Sequence, residues 1–437
     1  MRKVIFTLIS LLAFNNFAQA QAWIYDTISI APGYGQDVFY SMENDSIKNE
    51  SNTNWHLAFS LNGYDSAAVW ANHGGGNNFV KVYNIHKTIT DWNNITIADT
   101  ATGEPLFNGD FSWHQGAFNF NANPSPFNFG WGTYNTTTHQ FAGDSVFLIK
   151  AGGTFYKLSI DSLNPFTYKW DFRIGLFDSS NTTTAYSITK SPTYDNRNFA
   201  YFNIATGTAL NREPSNTDWD LLFTRYNTFT SLGGPVQPYN VTGALSNRGV
   251  QTARAQTIHV DTAFENYSTH ISPWFSGNPL SISTVGWEWK NFNMSVPPGV
   301  WEIPDSNTYF VKNKSNKIYQ LQFLNFGGSA TGQIALRKRF VIDITKINEI
   351  NSNLSEAVFF PNPTQHNLNF ACSAKENADA KIVIYDLTGK MIYSNPVTLN
   401  QGLNSFVLPT NTFSNGNYIA QLVGKNMMFS SKFVINK

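Results

Sequence analysis

Few side chains in this sequence are spaced for catalysis. His73-Gly74-Gly75-Gly76 places an imidazole before a flexible run, but no second chelating residue stands at ligand spacing, so it reads as a turn. Gly327-Gly328-Ser329-Ala330-Thr331 lacks the last glycine of a nucleophile elbow and lies between strand patterns, where a loop and no helix is expected. Asp171, Asp178, Glu288 and Glu302 are the acids a glycosidase would have to pair, and they are scattered over strand ends, where solvated carboxylates belong. No zincin helix motif, phosphate loop or EF-hand loop is present. The single cysteine, Cys372, permits no intramolecular disulfide, thiolate zinc site or iron-sulfur cluster. The chain is therefore expected to bind rather than catalyse, with a secreted hydrolase the least favoured class. Many Asn beside Trp and Tyr would suit a glycan-binding or adhesive surface, through ring stacking and amide hydrogen bonds.

The elements that must position any such site follow from composition. Of 437 residues, 42% are hydrophobic, 15% aromatic and only 13% charged, which excludes disorder and coiled coil. Thirty Gly and 18 Pro supply turns for many short strands, and sustained helical periodicity is absent over residues 21–345, although short helices fit within Asn247 to Asn266. With 29 basic and 29 acidic residues there is no global field to hold a nucleic acid. Met1 to Ala22 carries Arg2 and Lys3, an apolar stretch and Ala18-Gln19-Ala20, the pattern of a signal peptide over residues 1–20. Its apolar stretch is too short for a transmembrane anchor, and no cysteine follows to take a lipid.

The interior repeats itself. Asn52-Thr53-Asn54-Trp55-His56-Leu57-Ala58-Phe59-Ser60 corresponds to Asn216-Thr217-Asp218-Trp219-Asp220-Leu221-Leu222-Phe223-Thr224, 164 residues later. Gly130-Trp131 corresponds to Gly286-Trp287, and the hairpin strand at Tyr156 to that at Tyr319, 163 residues later. Two tandem related β-domains are expected, at residues 21–190 and 191–345. In each Trp-x-Leu-x-Phe strand the alternation buries one face and turns the other to solvent or to a second sheet. The second copy resembles the HmuY family of haem-binding surface proteins in three elements: Trp219-Asp220-Leu221-Leu222-Phe223-Thr224-Arg225-Tyr226, the Gly286-Trp287 segment, and the hairpin from Tyr309 to Phe323. The first copy resembles it more weakly. The resemblance implies an all-β fold and haem, or a haem-carrying protein, as partner. Haem needs one or two axial ligands, normally His or Met, on a hydrophobic, aromatic-lined cleft. Mapped on the family's order, these fall at His139 with His114 upstream in the first unit, and at Met294 with His259 or His270 upstream in the second.

The final segment differs in charge: residues 357–437 hold six Lys and three acids, against 21 basic and 26 acidic residues in 21–356. After a linker at 346–356, about seven strands form a small Ig-like β-sandwich over 357–437. Its Pro361-Asn362-Pro363 turn, the Tyr385-Asp386-Leu387-Thr388-Gly389-Lys390 hairpin, Gly416 and Tyr418, and the last strand with Lys432 resemble the type A sorting domain of the bacterial type IX secretion system. That resemblance implies recognition by the type IX machinery and export through the periplasm to the outer cell surface or the medium.

Overall fold

Leu57-Ala58-Phe59-Ser60 is buried at every position, as is Leu221-Leu222-Phe223, so each of these strands is covered on both faces. A period-2 strand does this when other layers cover both faces of its sheet. The computed structural model describes residues 22–437 except 62–66, 77–78, 120–126, 178–181, 232, 276–280, 344–352, 388 and 425–426. The signal-peptide stretch, most of the linker and Asp178 lie outside the described residues.

Residues through Ile342 form one compact unit, and Asp343–Lys437 a second. The first unit contains two outer and two inner antiparallel sheets. The first outer sheet runs Thr183–Thr189, Lys169–Leu176, Thr154–Asn164, Ser145–Ala151, Lys81–Thr88 and Glu104–Leu106, with Gly132–Asn135 and Gln140–Gly143 as a side hairpin. The first inner sheet is Thr208–Leu210, Phe199–Asn203, Leu57–Ser60 and Val69–Ala71. The second inner sheet is Asp45–Ser51, Gln36–Ser41, Leu221–Thr230 and Gln237–Ser246, the same arrangement about the repeated Trp-x-Leu-x-Phe strand. The second outer sheet is Ile24–Ser29, Gln333–Asp343, Lys317–Phe326, Thr308–Lys312 and Gln251–Ala255.

Alternation sorts the side chains into three apolar layers. Leu57, Phe59, Ala200 and Phe202 pack against Phe147, Leu158, Trp170 and Phe172 of the first outer sheet. Ala58, Phe199 and Tyr201 face the other way and meet Phe39, Leu222 and Leu245 of the second inner sheet, among Trp70, Trp113 and Trp219. Val38, Tyr40, Leu221 and Phe223 complete the third layer with Tyr309, Val311, Leu321 and Leu336. Of the two readings of the alternating strands, a second sheet rather than solvent covers the far face.

The pairings redistribute the two units expected at 21–190 and 191–345. Phe199–Asn203 lies beyond the 190/191 boundary yet pairs with Leu57–Ser60, while Gln36–Ser41 pairs with Leu221–Thr230 and Ile24–Ser29 with Gln333–Asp343. One half of the stack is thus built from residues 57–210 and the other from 24–51 together with 221–343. Period-2 patterning assigns a strand its faces but not its partner, so this exchange is invisible in the sequence. Short helices do occur at Val260–Glu265, within the expected window, and at Tyr267–Ile271 just beyond it. Gly328–Thr331, expected to be a plain loop, closes one helical turn that ends on Gly332 in the left-handed region.

The second unit is a sandwich of seven strands. Leu354–Phe360, Asn367–Ala374 and Gly402–Pro409 form one sheet, and Met391–Leu399, Ala378–Asp386, Gly416–Gly424 and Met427–Ile435 the other. Leu368, Phe370, Ile382, Ile384, Leu422 and Phe433 fill its interior, where Cys372 is also buried. Asp386 closes the motif hairpin by accepting from the Lys390 backbone N–H at 3.0 Å, and Gly389 takes a φ of 82° that other residues adopt only at a cost. No described helix is long and apolar enough to cross a membrane.

Candidate functional site

The five sequence-derived ligand candidates all lie on one topological element, the long connection that enters the Ser145–Ala151 or Thr308–Lys312 strand. His114 and His139 stand between Lys81–Thr88 and Ser145–Ala151, and His259, His270 and Met294 between Gln251–Ala255 and Thr308–Lys312. His139 is exposed on the turn joining Gly132–Asn135 to Gln140–Gly143, where Asn135 organises the backbone by accepting from Thr137 and Thr138. Its Nδ1 lies 2.8 Å from the Tyr134 hydroxyl. With Nδ1–H donating to that oxygen, the Nε2 lone pair is left for another partner. Phe166, 71% exposed, stands edge-on to the imidazole at 6.4 Å.

Met294 is 81% exposed in the loop between Asn291–Asn293 and Val300–Glu302, flanked by exposed Phe292, Val296 and Val300. His259 caps the Val260–Glu265 helix, its Nδ1 accepting from the Asp261 backbone N–H at 3.3 Å. His270 stacks on Phe310 at 5.8 Å, with its Nε2 buried and unpartnered. His114 borders a cavity of about 240 Å³ beside Arg248, which none of the other four touches. The structure thus gathers the candidates by connection, not into one facing pair.

The acids singled out from sequence are held structurally. Asp171 accepts from Ser162, Ser187 and Lys169, Glu288 pairs with Arg254, and Glu302 accepts from Asn293. His73 is fully enclosed: Nδ1–H donates to the Val80 carbonyl at 2.8 Å and Nε2 accepts from the Asn108 N–H at 3.3 Å. Burial lowers its pKa to about 4, so the ring is neutral and both nitrogens are engaged. The glycine after it passes so close to the second inner sheet that a Cβ on Gly74 would sit 1.9 Å from the Arg225 carbonyl oxygen. Among the described residues no cluster of three or more His, Cys, Asp or Glu could hold a metal ion.

Sequence reasoning missed a buried polar system between the two inner sheets. Arg212 follows Thr208–Leu210 and donates through Nη2 to Asp37 at 2.9 Å and to the Ser51 carbonyl at 2.8 Å. Thr224 donates to the other Asp37 oxygen at 2.6 Å. The guanidinium lies over Tyr201 at 4.8 Å and Trp55 at 5.5 Å. Nearby, buried Glu213 accepts from the backbone N–H groups of Asn198 and Phe199 and from the Asn198 amide, and desolvation raises its pKa to about 7. Asp220 accepts from Met42 N–H, and burial raises it to about 6. The available signal was a charge set inside an apolar run, as in Gln36-Asp37-Val38-Phe39 and Trp219-Asp220-Leu221.

One cavity opens on this system and a second adjoins it. An inner one of about 50 Å³ is bounded by Trp55, Tyr201, Arg212, Tyr226 and Asn227. An outer one of about 420 Å³ is walled by Phe79, Tyr83, Phe107 and Tyr239, and shares His73 and Asn227 with the first.

Comparison with known proteins places two segments. Residues 195–337 match the HmuY protein family, and residues 358–436 the secretion system C-terminal sorting domain. The first match includes Phe199–Asn203, which here pairs with Leu57–Ser60. No curated protein matches the chain. Among solved structures, a protein described as a lipoprotein from Bacteroides fragilis aligns at 10% identity over 41% of this chain and 93% of its own, with a TM-score of 0.19. A protein from Bacteroides vulgatus, described as an HmuY-like heme binding protein, aligns at 14% identity over 41% and 95%, with a TM-score of 0.18. Neither superposition is close enough to transfer geometry. The chain carries an HmuY-family domain over residues 195–337 and ends in a secretion-system C-terminal sorting domain over residues 358–436.

Proposed function

We propose that this is a non-enzymatic protein, exported by way of its sorting domain to the cell surface or the medium, that captures haem or a related tetrapyrrole. The observation that carries the reading is the HmuY match over 195–337, which spans His259, His270 and Met294. The donor set is compatible with haem: His139 has one nitrogen held by Tyr134 and the other uncommitted, and Met294 presents a thioether to solvent, each beside exposed apolar side chains that a porphyrin face would cover. When bound, haem supplies an iron whose axial positions take such ligands. In the first half of the stack His139 would hold it beside Phe166, and in the second half Met294 would hold it beside Phe292.

We further infer that residues 24–343 arose by internal duplication. The matching strand order about Leu57–Ser60 and Leu221–Thr230, and the placement of ligand candidates on corresponding connections, support this. Titration of the full chain with haem is the direct test. A Soret shift is expected, and its absence overturns the haem reading. A shift that survives unchanged in both His139→Ala and Met294→Ala rejects this ligand assignment.

A further inference from the structure

The cavity between the inner sheets and the outer one that adjoins it take no part in that reading. Four side chains that line the inner cavity each carry a buried polar atom without a partner: Trp55 Nε1, Arg212 Nε, Asn227 Nδ2 and the Tyr226 hydroxyl. Three of these groups can only donate. Arg212, Tyr226 and Asn227 are 3%, 6% and 4% exposed, so bulk water does not satisfy them. Folded chains rarely leave one buried donor unmet, and four around a single cavity imply an acceptor held in common.

The outer cavity says what kind of acceptor. The inner space alone accommodates only a few waters, whereas the outer one has the size and aromatic lining of a small-molecule pocket, and the two share His73 and Asn227. Arg212 and Lys81 line the two spaces against Asp37, which Arg212 and Thr224 already engage, so positive charge is in excess. We propose that this cleft binds a small aromatic monocarboxylate, its carboxylate oxygens accepting from Trp55, Arg212 and Asn227 and its ring lying among Phe107, Tyr83 and Tyr239. A neutral sugar brings hydroxyls that must donate as well as accept, and three of the four unpartnered groups of the inner wall can only donate. No imidazole is free for haem iron here, because both nitrogens of His73 are engaged.

The test is calorimetric titration of the full chain with benzoate, with benzamide and glucose as matched neutral probes, while the indole N–H resonances are followed by NMR. Benzoate is expected to bind and shift one indole signal that is missing in Trp55→Phe, and that variant, with an unchanged melting temperature, should bind benzoate about tenfold more weakly. Asn227→Leu should weaken binding without removing the indole signal. The proposal is overturned if benzoate gives neither heat nor shift at millimolar concentration, if benzamide or glucose binds as well, or if Trp55→Phe leaves the affinity unchanged; in the first case waters fill the inner space. Haem titrated into the benzoate-saturated chain should bind as before, so the outcome is independent of the haem reading.

Discussion

Arg212 and Asp37 form an ion pair across the central layer of the fold, 2.9 Å apart with both side chains 3% exposed. They join a loop that follows the first inner sheet to a strand of the second. Removing one partner strands the other charge in a low-dielectric interior. Arg212→Met is expected to destabilise the chain by about 3–5 kcal/mol in chemical denaturation, while the double variant Arg212→Met with Asp37→Asn should recover much of that loss. Equal losses in the single and double variants would show that packing of the guanidinium over Tyr201 dominates.

Glu213 makes stability fall as pH rises. Its folded pKa, about 7, lies above the ordinary 4.5, so between these values the folded chain keeps a proton that the unfolded chain has released. Stability is undiminished below pH 4.5, declines through the window and is lowest above pH 7, a swing on the order of 3 kcal/mol. Asp220, raised to about 6, acts in the same direction. Melting temperatures of Glu213→Gln across pH 4.5–7.5 should show a flatter decline than those of the parent, and identical slopes would contradict the assignment.

Gly74→Ala should separate the loop after Val69–Ala71 from the second inner sheet. The added carbon meets the Arg225 carbonyl oxygen at 1.9 Å, and the Asn240 amide hydrogen bond to the His73 carbonyl, 2.8 Å long, would be strained with it. A loss of about 1–3 kcal/mol is expected from such overpacking. Gly35→Ala, whose new carbon would approach nothing closer than 3.6 Å, serves as the control in the same melting experiment.

Tyr134→Phe removes the hydroxyl that holds His139 Nδ1. If His139 ligates haem, spectroscopic titration should show affinity reduced about 10–100-fold, the usual effect of losing a group that orients a metal-binding imidazole. An unchanged affinity would dissociate His139 from the iron.

Truncation after Ser355 deletes the sandwich with its Pro361-Asn362-Pro363 and Asp386-to-Lys390 features. Cell fractionation should then find the protein retained behind the outer membrane. Surface display of the truncated chain would reject the sorting role.

Much of the architecture was legible because alternation is a local property. Leu57, Phe59, Leu221 and Phe223 announced buried strands, and the C-terminal hairpin announced itself through Asp386 and Gly389. Pairing is not local. Nothing near Phe199 indicates that its strand lies beside Leu57–Ser60, because strand register depends on surfaces that exist only after collapse. The candidate ligands fell on corresponding connections, but spacing along a chain could not tell that His270 would turn its ring onto Phe310, or that Met294 would stand in solvent. The Asp37–Arg212 pair was hidden for the same reason, since its members are far apart in sequence and only the exchange of strands brings them together.

The pairing of Ile24 with Lys338 also governs the order of assembly. A chain made from its N-terminus presents the Ile24–Ser29 and Gln36–Ser41 strands long before Gln333–Asp343 and Leu221–Thr230 exist to receive them, whereas residues 57–210 contain all the partners their own sheets need. The layers of 57–210 can close first, and the opening segment must wait as an unprotected edge until nearly the whole N-terminal unit has emerged. In the N-terminal unit the first strand made, Ile24–Ser29, is therefore the last to gain its neighbour.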